Sequence, residues 1–529
     1  MKHLTDELLR YAGEGVYPYH MPGHKRRSCG TLSEDFYRMD ITEIDGFDNL
    51  HQPEGMIAEL QRAAARLYGA EESFYLINGS TCGILSAVSA ALSEGGHILM
   101  ARNCHKSAYH GVYLRNLKVT YLYPPCLDEY DIFDAVTPQQ IEDALEAEPD
   151  IRAVLIVSPT YEGRIADIRR IADIVHRREI PLIVDEAHGA HLGLADMLPE
   201  NSCQAGADLV IHSVHKTLPA PTQTALLHIN GTLVDRGLLR RFLRIYQSSS
   251  PSYPLMAGID NALRYIEESG GEAFREFRVR FREMTGILAG CRRLKFLSGE
   301  PERQDVGKLL ISVKETGLTG KALYDILLKK YRLQPEMASE SFVLAMFTVN
   351  DGWEAYERMV RALLEIDAGL EGKKEKIFPA GEEAEMWAAS PKKDGTGGTS
   401  GAAKGCGKAA GRNSEAGLQS RFAGILEGNR KTAEESPEAE PVSRIPLSRA
   451  WDMPSEIAAL EESAGRYAGE FVNLYPPGVP LLVPGERITE KLCRDIIRNV
   501  EAGLSVQGVR VDKSGEAPGI KICMRVLRL

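Results

Sequence analysis

The amino-acid sequence predicts an α/β protein whose largest domain is built on a mostly parallel sheet. Short apolar runs alternate with amphipathic segments from residue 73 to about 230, and Gly, Pro, Asn or Ser bound several of the runs. This alternation is typical of strands buried between two layers of helices. The predicted strands are SFYLI (73–77), HILMA (97–101), VTYLY (119–123), AVLIV (153–157), PLIVD (181–185), DLVIH (208–212) and ALLHI (225–229).

The pattern changes after the last of these strands. Longer helices then accompany the apolar runs KLLISV and FVLAMFTV, which predicts a smaller α+β domain. A later stretch rich in Gly, Ala, Ser and Lys has no apolar period and is typical of a flexible linker or insertion. We therefore predict an N-terminal segment (1–55), a large domain (56–265), a small α+β domain (266–371), a linker or insertion (372–445) and a C-terminal domain (446–529).

Composition excludes several classes of protein. The 529 residues carry a formal net charge of −11, which argues against a nucleic-acid surface. Nine scattered cysteines without a CxxC pair predict neither a disulfide framework nor a metal site. The N-terminus is charged from its start, and no run of eighteen apolar residues follows. We expect a cytoplasmic protein with no membrane or nucleic-acid partner.

The segment DEAHGAH at 185–191 begins with the signature of a helicase family. Such a motor also needs a phosphate-binding loop, G-x-x-x-x-G-K-[ST]. Each Gly-Lys pair of the chain is followed by a residue other than Ser or Thr, namely Leu309, Ala322, Lys374 and Ala409. The helicase interpretation therefore fails, and the segment needs another explanation.

Ligands of parallel α/β sheets bind beyond the carboxyl ends of the strands. The residues just after the predicted strands are therefore the candidates for function. The NGST turn after the first strand opens a helix, so its hydroxyls suit either a phosphate or a plain helix cap. The candidates are Ser80 and Thr81 after SFYLI, His105 after HILMA, Asp185 and His188 around the end of PLIVD, and Ser213, His215 and Lys216 after DLVIH.

Asp185 and Lys216, 31 residues apart in one α/β unit, match the chemical demands of pyridoxal phosphate. The lysine forms a Schiff base with the cofactor's aldehyde, and the carboxylate keeps the pyridine nitrogen protonated. The helix start at Ser80 suits the phosphate. A lysine that attacks an aldehyde must be neutral, which desolvation and neighbouring positive charge favour.

With these residues in place, the chain resembles the Orn/Lys/Arg decarboxylase family, whose members are pyridoxal-phosphate enzymes of fold type I. The resemblance covers nearly the whole chain outside the 372–445 segment. Because PGHK begins by residue 22, the chain resembles the short form without the N-terminal wing domain. The motifs that carry the resemblance are MPGHK (21–25), DITEIDGFDNLHQPEG (40–55), NGST (78–81), RNCHKS (102–107), SPTYEG (158–163), DEAHGAH (185–191), SVHKTLPA (213–220), SSSPSYPLMAGID (248–260) and YPPGVPLLVPGE (475–486).

The resemblance implies a role for each candidate. Lys216 would be the internal aldimine lysine and Asp185 the partner of the pyridinium nitrogen. His105 would stack on the ring face with Ala187 below it, and His188 would lie near the cofactor O3′ or the substrate carboxylate. The remaining implied residues are Ser80, Thr81, Ser213 and His215 for the phosphate, with His24, Lys25 and Glu486 for the substrate. For Glu486, a turn carboxylate is an equally good interpretation.

The implied reaction is decarboxylation of a basic amino acid, arginine first and then lysine or ornithine, in polyamine biosynthesis. A homodimer or larger homo-oligomer is implied as well. Two alternatives stay open: another fold type I reaction, by an aminotransferase or an oxoamine synthase, and a non-catalytic regulator that binds the cofactor. The presence of both Lys216 and Asp185 argues against the regulator.

Overall fold

The computed structural model describes residues 17–19, 48–299, 302–371, 445–476, 478–512 and 521–528. His24 and Lys25 and nearly all of the predicted 372–445 linker lie outside these residues. In chain order, the elements up to residue 246 are β1 (Tyr17–Tyr19), α1 (Met56–Tyr68), β2 (Glu72–Leu76), α2 (Gly79–Ala91), β3 (His97–Ala101), α3 (Lys106–Leu114), β4 (Lys118–Leu122), β5 (Cys126–Leu127), β6 (Ile132–Phe133), α4 (Pro138–Ala147), β7 (Ala153–Val157), α5 (Ile168–His176), β8 (Leu182–Asp185), β9 (Leu209–His212), α6 (Val214–Thr217), β10 (Ala225–Ile229) and α7 (Arg236–Tyr246).

The largest sheet has seven strands in the order β2-β10-β9-β8-β7-β3-β4. Strand β10 is antiparallel to both of its neighbours, and the other pairs are parallel. All seven predicted strands are present, with ends that differ from the prediction by no more than one residue. The predicted α/β class with a mostly parallel sheet is confirmed.

Helices cover this sheet because their apolar residues recur at helical spacing. In α5, Ile168, Ile171 and Val175 are buried, and Asp167 caps the helix by accepting a hydrogen bond from the amide of Arg170. The edge strand β2 shows that both faces of the sheet are packed. Its Phe74 and Leu76 join one hydrophobic core, while Tyr75 between them joins another.

The second core lies between the sheet and a smaller α+β unit. The elements of this unit are α8 (Tyr253–Leu288), β11 (Lys295–Phe296), β12 (Lys308–Ser312), α9 (Gly320–Tyr331), β13 (Leu333–Pro335), β14 (Met337–Ala338), β15 (Phe342–Met346) and α10 (Trp353–Glu371). The long helix α8 starts the unit and runs through the boundary predicted between residues 265 and 266. An antiparallel sheet of order β11-β12-β15-β14 follows it, and β1 pairs with β13.

The C-terminal unit packs against the large domain. Phe471 and Val483 belong to the first core, and the ring of Trp451 stacks on that of His110 with 5.7 Å between centroids. Nowhere in the described ranges is a helix both long and apolar enough to span a membrane. The elements are α11 (Leu447–Ala450), β16 (Ser455–Ala459), a 3-10 helix (Leu460–Glu462), β17 (Val472–Leu474), β18 (Pro480–Leu482), α12 (Glu490–Glu501), β19 (Val506–Gln507), β20 (Val509–Asp512) and β21 (Lys521–Leu527).

Candidate active site

The structure brings Asp185 and Lys216 to the same edge of the large sheet. Strand β8 ends at Asp185, which is in register with Ile211 of the parallel strand β9. Strand β9 ends one residue later, and the single-turn helix α6 that follows carries Lys216. Their meeting follows from the parallel pairing of two consecutive strands.

Burial shifts the pKa values of these two groups in opposite directions. Asp185 is 4% exposed, and its Oδ1 atom accepts a hydrogen bond from the amide of Ala187 at 3.2 Å. Loss of hydration raises the pKa of Asp185 and lowers the pKa of Lys216, and attraction between the two charges partly offsets each shift. A buried carboxylate of this kind suits a protonated ring nitrogen, which would supply the opposite charge.

His188 lies between two lysines. Its Nε2 atom is 3.0 Å from the Nζ atom of Lys216, and its Nδ1 atom is 2.8 Å from the Nζ atom of Lys308. Burial, followed by the two positive charges, holds the pKa of His188 well below its ordinary value, so the ring is neutral. The edge of the ring meets Tyr161, with 4.6 Å between centroids.

Sequence reasoning missed Lys308 and two residues beside it. Lys308 opens strand β12 of the small domain, is 3% exposed, and holds its Nζ atom 5.5 Å from the centre of the Tyr161 ring. Burial lowers the pKa of Lys308 to about 8. The hydroxyl of Tyr161 donates a hydrogen bond to the carboxylate of Glu336. The available signals were weak: a lysine at the head of KLLISV and a tyrosine inside SPTYEG.

One loop joins the two segments that were predicted to bind phosphate. The amide of Gly79, at the start of α2, donates to the carbonyl of Gln223 at 2.9 Å. The Nδ1 atom of His215 donates to the carbonyl of the next residue, Thr224, at 2.8 Å. The helix start with Ser80 and Thr81 and the turn with Ser213 are therefore anchored to adjacent residues of one loop.

The donors at this place fit a phosphate. Ser213 is fully buried, and within the described part of the chain its Oγ atom has no hydrogen-bond partner. Asn78 precedes α2 without making a side-chain cap, and a helix start without such a cap, beyond the bonded amide of Gly79, suits an anion. An uncapped helix start beside an unsatisfied buried hydroxyl is what a bound phosphate would complete.

The predicted phosphate role of Ser213 can be tested with a matched serine. Ser213→Ala should weaken the affinity for pyridoxal phosphate by about 10- to 100-fold, the loss expected for one hydrogen bond to a charged group. Ser86 is the control, because its Oγ atom is also buried without a partner among the described residues but lies two turns into α2. Titration of the cofactor-stripped chain should show unchanged affinity in Ser86→Ala. Equal affinities in both variants would remove Ser213 from the phosphate site.

His105 caps the helix that follows β3. Its Nδ1 atom accepts a hydrogen bond from the amide of Ser107 at 3.3 Å, which places the proton of the neutral ring on Nε2. Burial, with a smaller effect from Lys216, lowers the pKa of His105 to about 3. The C-terminal unit reaches this residue, since the carbonyl of Gly478 accepts from the amide of Lys106 at 3.2 Å.

A side chain at Gly478 would press against His105. A Cβ atom there would lie 3.2 Å from Nε2 of His105, and the backbone φ of Gly478 is +83°. Gly465 has nearly the same φ, +84°, but its Cβ would meet nothing closer than 4.0 Å. Both Gly→Ala variants should lose about 1–2 kcal/mol of unfolding free energy to backbone strain. Only Gly478→Ala should also lower kcat, by about 10- to 100-fold.

This comparison is made by measuring denaturant unfolding and steady-state rates for the two variants side by side. Equal kcat values would show that the contact with His105 does not matter for activity. A loss of kcat in Gly465→Ala would trace the effect to backbone strain instead.

Glu486, predicted as a counter-charge for the substrate, already has a cationic partner. Its carboxylate forms an ion pair with Arg102 at 3.0 Å and accepts the amide of Val483 at 3.0 Å. Arg102 also donates to the carbonyl of Pro480 at 2.7 Å. This largely buried pair joins the C-terminal unit to the large domain, so the charge of Glu486 is already matched within the chain.

A buried hydrogen-bonded chain lies directly behind the site. Glu186 accepts from the amide and hydroxyl of Ser202, and its carboxylate lies 2.6 Å from Nε2 of His212. His212 then contacts His228 at 3.0 Å, and His228 contacts Ser73 at 2.6 Å. Burial raises the pKa of Glu186 to about 8. The chain links β9, β10 and β2 to the residue after Asp185, and so fixes the edge on which the site is built.

The sheet order and the lysine and aspartate at its carboxyl edge define a pyridoxal-phosphate enzyme fold of type I. Lysine decarboxylase A from Pseudomonas aeruginosa has this fold, with a TM-score of 0.70 and 18% identity over 99% of this chain and 80% of that one. Residues 2–287 match the model of the Orn/Lys/Arg decarboxylase major domain, and residues 433–503 match that of the family's C-terminal domain. The chain belongs to the Orn/Lys/Arg decarboxylase family and is an amino-acid decarboxylase, as predicted.

Several relatives extend this likeness along the chain. The uncharacterized protein YaaO of Bacillus subtilis (strain 168) is 31% identical over 96% of this chain and 95% of its own length. The arginine decarboxylase of the same organism is 29% identical over 95% of this chain and 94% of its own. The constitutive ornithine decarboxylase of Escherichia coli (strain K12) is 26% identical, but over 54% of this chain and 46% of its own length.

Proposed function

We propose that this chain uses pyridoxal phosphate to decarboxylate a basic amino acid, arginine first and lysine or ornithine second. The observation that carries the proposal is the pairing of Asp185 and Lys216 at neighbouring strand ends, with His188 against the lysine nitrogen. Arginine is placed first because the relative named for arginine matches nearly the whole chain, while the one named for ornithine matches about half.

When bound, pyridoxal phosphate supplies an aldehyde that condenses with amines and a protonated ring that accepts the electron pair released as CO₂ departs. In the proposed site, Asp185 keeps the proton on the ring nitrogen. Burial raises the pKa of Asp185, so the carboxylate benefits strongly from a cationic partner. Lys216 would hold the aldehyde carbon, and burial favours its neutral, nucleophilic amine.

The remaining residues orient the reactants. Ser80, Thr81, Ser213 and His215 would hold the phosphate at the loop that anchors both segments. His105 and Ala187 would flank the ring, with His105 neutral because burial lowers its pKa to about 3. Such orientation must hold the bond from Cα to the carboxylate perpendicular to the ring, since only then do its electrons overlap with the ring.

We propose that His188 moves a proton. Its Nε2 atom lies 3.0 Å from Nζ of Lys216, within range for direct transfer between the two nitrogens. A neutral imidazole there can pass a proton to or from the lysine without adding a fixed positive charge. We propose this role in place of the two locations that the family resemblance left open.

The cytoplasmic location, the homodimeric or larger assembly and the role in polyamine biosynthesis belong to the same proposal. The first product of arginine decarboxylation would be a diamine precursor bearing a guanidinium group, which suits that role chemically. An aminotransferase is the second candidate, because the fold type I class carries both reactions.

The proposal is tested by supplying arginine, lysine and ornithine, each labelled at the carboxyl carbon, to the loaded enzyme. Labelled CO₂ should appear fastest from arginine, with an equal amount of amine. A parallel assay adds a keto acid and follows transfer of the amino group. Amine transfer that outpaces CO₂ release would favour the aminotransferase, and CO₂ from none of the three substrates would refute the proposed substrate class.

A further inference from the structure

Both ring nitrogens of His188 face lysine nitrogens, at 3.0 Å for Lys216 and 2.8 Å for Lys308. The second lysine comes from strand β12 of the small domain and has no role in the chemistry described so far. His188 and Lys308 are buried, and Lys216 is partly buried. For both contacts to be hydrogen bonds, each must have one nitrogen that donates a proton and one that accepts it.

Counting protons limits the arrangements. A neutral imidazole has one N–H donor and one nitrogen that accepts, while a lysine ammonium can only donate. Two ammonium groups cannot both bond to one neutral imidazole, and an imidazolium can accept from neither. If both contacts are hydrogen bonds, one of the two lysines must be a neutral amine that accepts from His188.

The surroundings favour the positive charge on Lys308. The negative charges of Asp305, Glu336 and Glu162 favour its protonated form. Its Nζ atom also lies 5.5 Å from the centre of the Tyr161 ring, over the ring face. An aromatic face attracts an ammonium more strongly than a neutral amine. Lys216 has two acidic neighbours, Asp185 and Glu336, and no such ring contact among the described residues.

We propose that Lys308 is a positioning residue that acts on Lys216 through His188. The Lys308 ammonium donates to Nδ1 of His188, which places the ring proton on Nε2, and Nε2–H then donates to the neutral amine of Lys216. The small domain thereby keeps the nitrogen of Lys216 unprotonated. The use of that neutral amine in catalysis rests on the proposed function, but the proton arrangement does not.

Several other charged or titratable groups face this trio and enter any pH dependence. Their effects are present in every variant that leaves them unchanged, so comparison between variants isolates Lys308. The groups are Asp185 and Glu336 around Lys216, Asp305, Glu336 and Glu162 around Lys308, and His105 and His215 around His188.

The pKa of the Lys216 amine can be measured without any catalysis. The full chain, stripped of cofactor, is labelled with trace acetic anhydride across a range of pH, and mass spectrometry quantifies acetylation of Lys216. Lys308→Met should raise the pKa of Lys216 by about 1 or more, because His188 can then switch its proton to Nδ1 and accept from a Lys216 ammonium. Lys308→Arg keeps the donor and should leave the pKa near that of the wild type.

The same substitution in a His188→Phe parent separates an effect through the hydrogen bonds of His188 from simple charge repulsion between the two lysines. In His188→Phe the path is already broken, so adding Lys308→Met should change the pKa of Lys216 little. An equal rise in both backgrounds would overturn the proposal in favour of a through-space effect. No rise in either background would overturn it as well. Lys329→Met, at an exposed lysine, serves as the control for labelling and folding.

Nitrogen NMR provides a test that needs no variant of Lys308. In wild-type chain labelled at histidine nitrogen, the His188 signals, identified by their loss in His188→Phe, should show the proton on Nε2. A proton on Nδ1 would refute the arrangement. A positive result here with no CO₂ release from any substrate would leave this inference standing while refuting the proposed function.

Discussion

Lys216→Ala is expected to lower the rate of CO₂ release by about 10³-fold or more, the largest effect of any single substitution in the chain. The variant lacks the amine that would bond to the cofactor's aldehyde, and loss of a covalent group commonly costs a factor of this size. The absorbance of lysine-bound cofactor, at about 420 nm for this chemistry, should vanish as well. Steady-state rates and absorbance spectra of the loaded protein measure the two effects.

Lys329→Ala is the matched control for Lys216→Ala, since Lys329 is an exposed lysine on α9. It should keep both the rate and the absorbance. If Lys216→Ala retained the absorbance band, another lysine would have to bind the aldehyde, and Lys308 would be the first to examine because its nitrogen lies against the same histidine.

Asp185→Asn is expected to lower kcat by about 10³-fold while making the cofactor-free protein more stable. Asparagine keeps the shape of the side chain but cannot hold a proton on the ring nitrogen. Burial raises the pKa of Asp185 in the folded chain, so the ionised carboxylate destabilises the fold at pH values above its unfolded pKa, and the neutral amide removes this cost. Rates and denaturant unfolding near pH 7 should move in opposite directions.

Asp173→Asn provides the comparison for Asp185→Asn, because Asp173 lies exposed on α5. Both its rate and its unfolding free energy should match the wild type. An Asp185→Asn variant with more than a tenth of wild-type kcat would show that the carboxylate is dispensable. One with lower stability would contradict the expected cost of burying its charge.

The sheet and the core of the site could be predicted because they depend on local pattern. Strands buried on both faces are continuous apolar runs, and consecutive parallel strands end at one edge. Those two facts are enough to predict Asp185, Lys216 and Ser213 as site residues, and the structure brings the three to that edge. The antiparallel direction of β10 was not predicted, because an apolar run does not indicate whether its strand is parallel or antiparallel to its neighbours.

The missed residues depend on how separate parts of the chain pack together. Lys308 begins a strand, a place where a lysine is usually hydrated, and nothing nearby in sequence marks its contact with His188. Glu336 reaches Tyr161 from 175 positions further along the chain. Glu486 was predicted either to bind the substrate or to be a turn carboxylate, and its ion pair with Arg102, far earlier in the chain, was not predicted. Pairings between distant segments leave no periodic signal.

The contact between Gly478 and the segment at His105 has a consequence for how the enzyme is made. The large domain lies ahead of the C-terminal unit on the chain, and that unit adds Leu447, Phe471 and Val483 to its hydrophobic core. On a ribosome the large domain would be translated well before the residues that cover His105, since the neighbouring contact of Arg102 with Pro480 spans 378 positions. Synthesis would therefore finish the reactive pocket last, and a chain cut short before Gly478 would carry Lys216 and Asp185 in a pocket that still lacks one wall.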